Sequence, residues 1–251
     1  MPLIKLKGSE SIISIHLEHP ISIDDDTKYS LGLVGFYSEN NIYNILSKSE
    51  IYFWKSDVKP DSTILKIVPG YYTLENIQEQ CRAFIKQLKI AEANTFIVSK
   101  AGTRISIQSP IKFFIDSNIQ QLLVFELTEK FDKTDEASYC NANKLLIGSK
   151  PPNLRPVDVI EVHCNIVDNS FVKHETHSYK HAESEILYTF YPNVLHGYKI
   201  SHTPQERLYL PIKQGLRKID TITITIRDEN HHIIHNDCEI NLVYLHLKKE
   251  K

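Results

Sequence analysis

The sequence predicts a mainly β protein, a jelly-roll β-sandwich carrying a small helix-containing insertion. Three observations predict it. Short stretches alternate apolar and polar residues, most cleanly at residues 221–226 (TITITI). Polar turn clusters recur between those stretches. The composition suits pleated surfaces, with 13 Tyr, 10 Phe and abundant Ile but only 8 Gly among 251 residues. β-Branched and aromatic side chains pack well on a half-buried sheet, and strict alternation marks a strand with one face inward. Many short strands separated by turns favour a sandwich, and a jelly roll folds two such sheets face to face.

The elements follow in order. Residues 11–23 place Ile13, Ile15 and Leu17 on one side and Ser14, His16 and Glu18 on the other, a strand that Pro20 can bend. Asp24, Asp25 and Asp26 form a turn. Residues 29–37 (YSLGLVGFY) are apolar on both faces, as a central covered strand requires. Residues 51–54 and 63–68 supply two more strands, and Pro69 and Gly70 end the pattern. Residues 74–88 predict the one helix. Leu74, Ile77, Cys81, Phe84, Ile85 and Leu88 share a stripe, Thr73 is its N-cap, and acidic residues lead while basic ones trail, as the helix dipole favours.

Strands resume at 95–99 and 104–108 around a hairpin turn at Gly102, then at 111–115 and 121–125. The α+β stretch at about 69–130 is expected to be an insertion in a single jelly roll spanning residues 1–251. Residues 132–158, with Pro151, Pro152 and Pro156, form a long connection with a brief strand at 145–147. Residues 157–167 alternate again, with Val157, Val159, Glu161 and His163 opposite Asp158, Ile160, Val162 and Cys164. Residues 167–184 are polar and His-rich and predict a loop. Strands follow at 186–191, 208–212 and 221–226, the last with Ile222, Ile224 and Ile226 facing the core. Asp228, Glu229 and Asn230 turn the chain, and residues 240–247 close it.

Composition excludes several function classes. A net charge of −2, from 29 basic and 31 acidic residues, supplies no general field for nucleic acid, and no specific nucleic-acid partner is expected. No stretch approaches the roughly 20 apolar residues needed to span a bilayer, so no membrane span is expected. The N-terminus lacks the apolar core of a signal peptide. The protein is expected to be made inside a cell rather than secreted. Cys81, Cys140, Cys164 and Cys238 are scattered with no C-x-x-C pair, which fits thiols of a reducing compartment.

The candidate chemistry is sparse. His174, His177 and His181 (HETHSYKH) stand at i, i+3 and i+7 and would share one face of a helix as metal ligands. Helix signals are absent there, and so is the H-x-H pair of cupin-type metal sites, so a polar loop without metal is expected. His231, His232 and His235 flank a turn and read as turn residues. Imidazole as a side-chain type changes charge near physiological pH, so both groups are candidate pH sensors. No G-x-S-x-G nucleophile elbow and no phosphate-cradling glycine motif occurs. The sequence therefore predicts no catalytic residue, no cofactor and no small-molecule substrate. Tyr188, Phe190, Tyr191 and Tyr198 lie near Pro192 and Gly197. They read as core, with a sugar-stacking surface or a subunit contact as alternatives.

The C-terminal segments carry a resemblance. Residues 186–212 (ILYTFYPNVLHGYKISHTPQERLYLPI), then 219–230 (IDTITITIRDEN), then 240–247 (INLVYLHL) resemble the minor capsid, or penton, proteins of Polinton/Maverick elements and related virophages and adintoviruses. Those proteins tend to end with a Tyr-Leu-Pro segment, a strand running into an Asp-containing turn, and a closing v-x-L-H-L-K strand. Here these are Tyr209-Leu210-Pro211, Arg227-Asp228 and Leu245-His246-Leu247-Lys248. Residues 31–45, 69–77 and 117–125 follow the same order of segments. The family's frequent "LLGF" is Leu122-Leu123-Val124-Phe125 in this chain. The resemblance implies a non-enzymatic virion protein that forms homopentamers at icosahedral vertices, beside trimers of a double-jelly-roll major capsid protein. The alternatives are a lectin-like sandwich and a metal-dependent jelly-roll enzyme built on the His174 group.

Overall fold

The structure, a computed structural model, describes residues 3–24, 27–54, 62–90, 93–125, 142–152, 154, 157–168, 185–238 and 240–250. The chain divides into two compact units, Met1–Ile42 with Val157–Lys251, and Tyr43–Pro156. The first unit opens with β1 (Leu3–Gly8), β2 (Ile12–Ser22) and β3 (Tyr29–Glu39). The second supplies β4 (Ser49–Trp54), β5 (Ser62–Ile67), α1 (Leu74–Gln87), β6 (Ile97–Ala101), β7 (Arg104–Gln108), β8 (Lys112–Ile115), α2 (Ser117–Leu123) and β9 (Leu145–Ile147). The first then resumes with β10 (Ile160–Cys164), β11 (Ile186–Phe190), β12 (Lys199–His202), β13 (Tyr209–Pro211), β14 (Lys218–Arg227) and β15 (Asn241–Lys249).

Strand order defines the fold of the first unit. One sheet runs β1-β15-β3-β12, with β13 also on β3, and the other runs β11-β10-β14-β2. The antiparallel pairs nest. The first strand pairs with the last (β1 with β15), then β2 with β14, β3 with β12, and β10 with β11 innermost. A long antiparallel ribbon rolled up in this way is a jelly roll. The sheets bury their inner faces against each other. Ile4, Leu6, Leu31, Leu33, Val243 and Leu245 of one sheet and Ile13, Val162, Leu187, Ile222, Ile224 and Ile226 of the other belong to one apolar core. Period-2 alternation produces this division directly. In β14 every inward Ile is buried, while Thr221, Thr223 and Thr225 line the outer face, where Ser14 and His16 of β2 meet Thr223 and Thr221.

The outer face of the first sheet rests on two glycines of β3. A Cβ on Gly32 would meet the Leu208 carbonyl at 2.9 Å and the Tyr209 ring at 3.0 Å, and one on Gly35 would meet the Tyr37 ring at 3.0 Å. Tyr209 therefore lies close over β3, and its hydroxyl reaches His246 Nδ1 on β15 at 2.7 Å.

The second unit has its own core, in which Phe53, Phe96 and Phe113, in tilted and edge-to-face contact, pack in one cluster with Ile77, Cys81 and Ile85 of α1. Its sheets are β5-β4-β8 and β6-β7-β9. Helix α1 forms as the sequence predicts. Thr73 caps it, and a capping box joins Thr73 and Asn76. The β6–β7 hairpin turns at Gly102, whose φ is +67°.

One expectation is corrected. Residues 121–125 are not a strand, because Ser117–Leu123 is helical. The Asp116 carboxylate caps that helix by accepting from the Ile119 N–H at 3.1 Å, and its second oxygen accepts from the Glu50 N–H at 2.6 Å. The apolar run at its end mimics a strand, but it buries Leu122 and Leu123 along one side of the helix. The described residues consequently hold two helices where one was expected. Strand β12 (KISH) was not anticipated, since it offers one inward aliphatic residue, Ile200.

Replacing Gly32 by Ala should destabilise the first unit by about 1–3 kcal/mol, since the new methyl meets backbone and a packed ring. Chemical denaturation of Gly32→Ala against wild type measures this, and an unchanged midpoint would contradict the close packing described.

Candidate functional site

Strand β10 lies inside the second sheet, between β11 and β14, and all five of its residues are buried. Ile160, Val162 and Cys164 face the inter-sheet core. By alternation Glu161 and His163 share the opposite face. A buried carboxylate is costly unless it is paired and hydrogen-bonded, and Glu161 is paired twice. Its Oε2 lies 2.9 Å from His163 Nε2 and 2.8 Å from His231 Nδ1. Side-chain exposure is 9% for Glu161, 3% for His163 and 21% for His231. The imidazoles stand edge to face, with centroids 6.2 Å apart.

His231 comes from the turn after β14. Asp228 builds that turn: its backbone accepts from the His231 N–H, and its Oδ1 accepts from the Asn230 and His232 N–H groups. His231 sits at φ +62°, a left-handed conformation uncommon outside glycine. The Arg227 guanidinium donates to the His231 carbonyl at 2.6 Å and helps hold that conformation. Glu229 of the same turn accepts from the Asp158 and Val159 N–H groups just before β10. The turn is thus tied both to the residues just before β10 and to Glu161.

Burial alone would raise the Glu161 carboxyl pKa, but the hydrogen bonds and charge interactions of His163 and His231 outweigh it and hold the pKa below the usual value. Each imidazole that donates to Glu161 carries its proton on the nitrogen facing the carboxylate. The cluster can store an ionised carboxylate in a buried place. Two imidazole nitrogens and a carboxylate oxygen, all within 4.8 Å of one another, also form the one group of metal-capable ligands among the described residues.

The sequence-derived candidates fall elsewhere. His174, His177 and His181 lie outside the described residues. His231 joins the cluster, whereas His232 is exposed and reaches Asp228 at 3.5 Å. The four aromatics do not form one platform. Phe190 is core and stacks on His202 with ring centroids 4.3 Å apart, and Tyr188 packs partly buried against the same core. Tyr191 and Tyr198 are exposed, as is Leu195 between them. Desolvation lowers the His202 pKa, which keeps this ring neutral in its apolar surroundings. Cys81, Cys164 and Cys238 are buried thiols. Burial pushes the Cys164 pKa up to about 12, so it is no nucleophile at neutral pH. Sequence reasoning placed Glu161 and His163 on one strand face but had no means of bringing His231 to them.

No protein-family model matches the chain, and no curated protein matches it. Among solved structures it is similar to the mavirus penton protein, at 12% identity over 99% of each chain, with a TM-score of 0.47. Among the described residues, no helix is long and apolar enough to cross a membrane.

Because the Glu161 pKa is depressed, its contribution to stability is present above the ordinary carboxylate pKa and lost as pH falls through the folded value. Glu161→Gln should cost about 1–3 kcal/mol at neutral pH. The gap to wild type should close at acid pH, as read by denaturation midpoints across a pH series. A gap independent of pH would show that the carboxylate charge does not contribute.

Proposed function

We propose that this chain is a structural capsid subunit, the penton that closes the fivefold vertices of an icosahedral particle, and that it works without catalysis. One observation carries the reading: the segments that resemble the penton family occupy defining positions of the jelly roll. Tyr209-Leu210-Pro211 is β13, laid on the central strand β3. Arg227-Asp228 is the exit of β14 into the turn that carries His231. Leu245-His246-Leu247-Lys248 lies within β15, paired with β3. The fold class alone would not choose, since jelly rolls serve in capsids, lectins and cupins. The residue-level resemblance makes the choice.

In this role the whole chain acts as one capsid protein, with the Tyr43–Pro156 unit carried as an insertion. Five copies would associate around a cyclic axis. Such contacts are heterologous, one flank of a subunit meeting the opposite flank of the next. A double-jelly-roll major capsid protein would surround them, and the protein would reside in the virion after synthesis inside the host cell.

Native mass spectrometry of the full chain, alone and co-expressed with a double-jelly-roll major capsid protein from the same genetic element, tests the proposal. Pentamers, or fivefold density of this chain at particle vertices, are expected. A chain that stays monomeric and leaves co-expressed particles with vertices lacking it would overturn the assignment.

A further inference from the structure

The Glu161 cluster carries an inference independent of the capsid reading. We propose that Glu161, His163 and His231 form a binding site for a first-row transition-metal dication of the zinc type, clamping the turn after β14 onto β10. Three features support it. Two imidazole nitrogens converge on the same carboxylate oxygen, at 2.9 and 2.8 Å. The ligands come from a β-strand and from a turn fixed by its own hydrogen bonds, so they are held in place before an ion arrives. His231 keeps a left-handed backbone, a strain that persists only where the surroundings enforce it.

The donor set selects the class of ion. Imidazole nitrogen suits zinc, iron, nickel and copper, whereas magnesium and calcium favour all-oxygen sites. Three protein ligands leave a fourth position, and His231, the least buried of the three at 21% side-chain exposure, marks the side on which water can complete a tetrahedron. Metal–ligand bonds of about 2.0–2.2 Å set neighbouring donors about 3.3 Å apart. Each imidazole therefore has to withdraw from Glu161 by about 0.5 Å, and the two imidazole nitrogens, which lie within 4.8 Å of each other, have to settle at the same spacing.

Binding replaces the two hydrogen-bonding protons. Each imidazole coordinates through the nitrogen that now faces Glu161 and carries its remaining proton on the other ring nitrogen; a proton displaced from the coordinating nitrogen passes to that second nitrogen or to solvent. The carboxylate is already ionised, and its single negative charge partly offsets the dication. No redox step is involved.

The test uses the full chain purified without chelator or affinity His-tag. Elemental analysis should find close to one zinc per chain after loading and desalting. Zinc should raise the melting temperature and a chelator should reverse the rise. Co(II) loading should give the visible d–d absorption of a four-coordinate N/O site. His231→Ala and Glu161→Gln should each lose the stoichiometric metal and the thermal shift. His231→Ala alters a partly exposed turn residue, so its fold, checked by circular dichroism, should persist even if Glu161→Gln fails to fold. The triple variant His174→Ala, His177→Ala, His181→Ala should keep the metal. The proposal is overturned if wild type binds no metal stoichiometrically, if His231→Ala retains it, or if the triple variant loses it.

Discussion

The dry interface between the two sheets is the constraint on which the first unit depends. Inward rows of Ile, Leu and Val on β14 and β15 are almost wholly removed from water, with Ile222, Ile224, Val243 and Leu245 at 0% exposure. Side chains alternate with a period of two, so a one-residue slip in any pair would turn a whole inward row to solvent. The nested pairing multiplies this constraint. Each added pair fixes the register of the next, from β10–β11 at the centre to β1–β15 at the chain's ends. Bulges take up the mismatch at Tyr244/Leu245, Ile219/Thr221 and Val162/His163 without moving inward residues out of the core.

The polar cluster is a consequence of that register. Val162 at 0% exposure belongs to the inter-sheet core, and the register that puts it there sends Glu161 and His163 to the far side. That side is covered as well, so two polar side chains are buried two positions apart. Glu161 can remain ionised there because two imidazoles face one of its oxygens. His231 reaches it because the turn after β14 folds back over β10, and β14 is β10's own partner in the sheet, with Glu161 opposite Arg227.

Much of this was legible in the sequence, and the failures have definite causes. Alternation located β2, β10 and β14, and two-sided apolarity marked β3 as central. The β10 pattern already put Glu161 and His163 on one face. Helix α2 was missed because Leu122, Leu123, Val124 and Phe125 form a short apolar run, which periodicity alone cannot assign to helix or strand. The local signal that would have found it is Asp116, an N-cap three residues before Ile119. The third member of the cluster was beyond any local rule. His231 lies 70 residues from Glu161, and only the pairing of β10 with β14 joins them. Local periodicity reports which face a residue occupies, not which strand lies beside it.

The same packing decides what the interior of the sandwich holds. Small sandwiches and barrels either fill their interior with side chains or enclose a ligand. This interior is filled: Phe36, Leu33, Val162, Ile222 and Leu245 meet between the sheets and belong to one continuous core. Among the described residues the inward faces leave that space to apolar side chains, and the Glu161 cluster lies on the outer side of the second sheet. There the cluster ties the turn after β14 to β10 on the face turned away from the inter-sheet core.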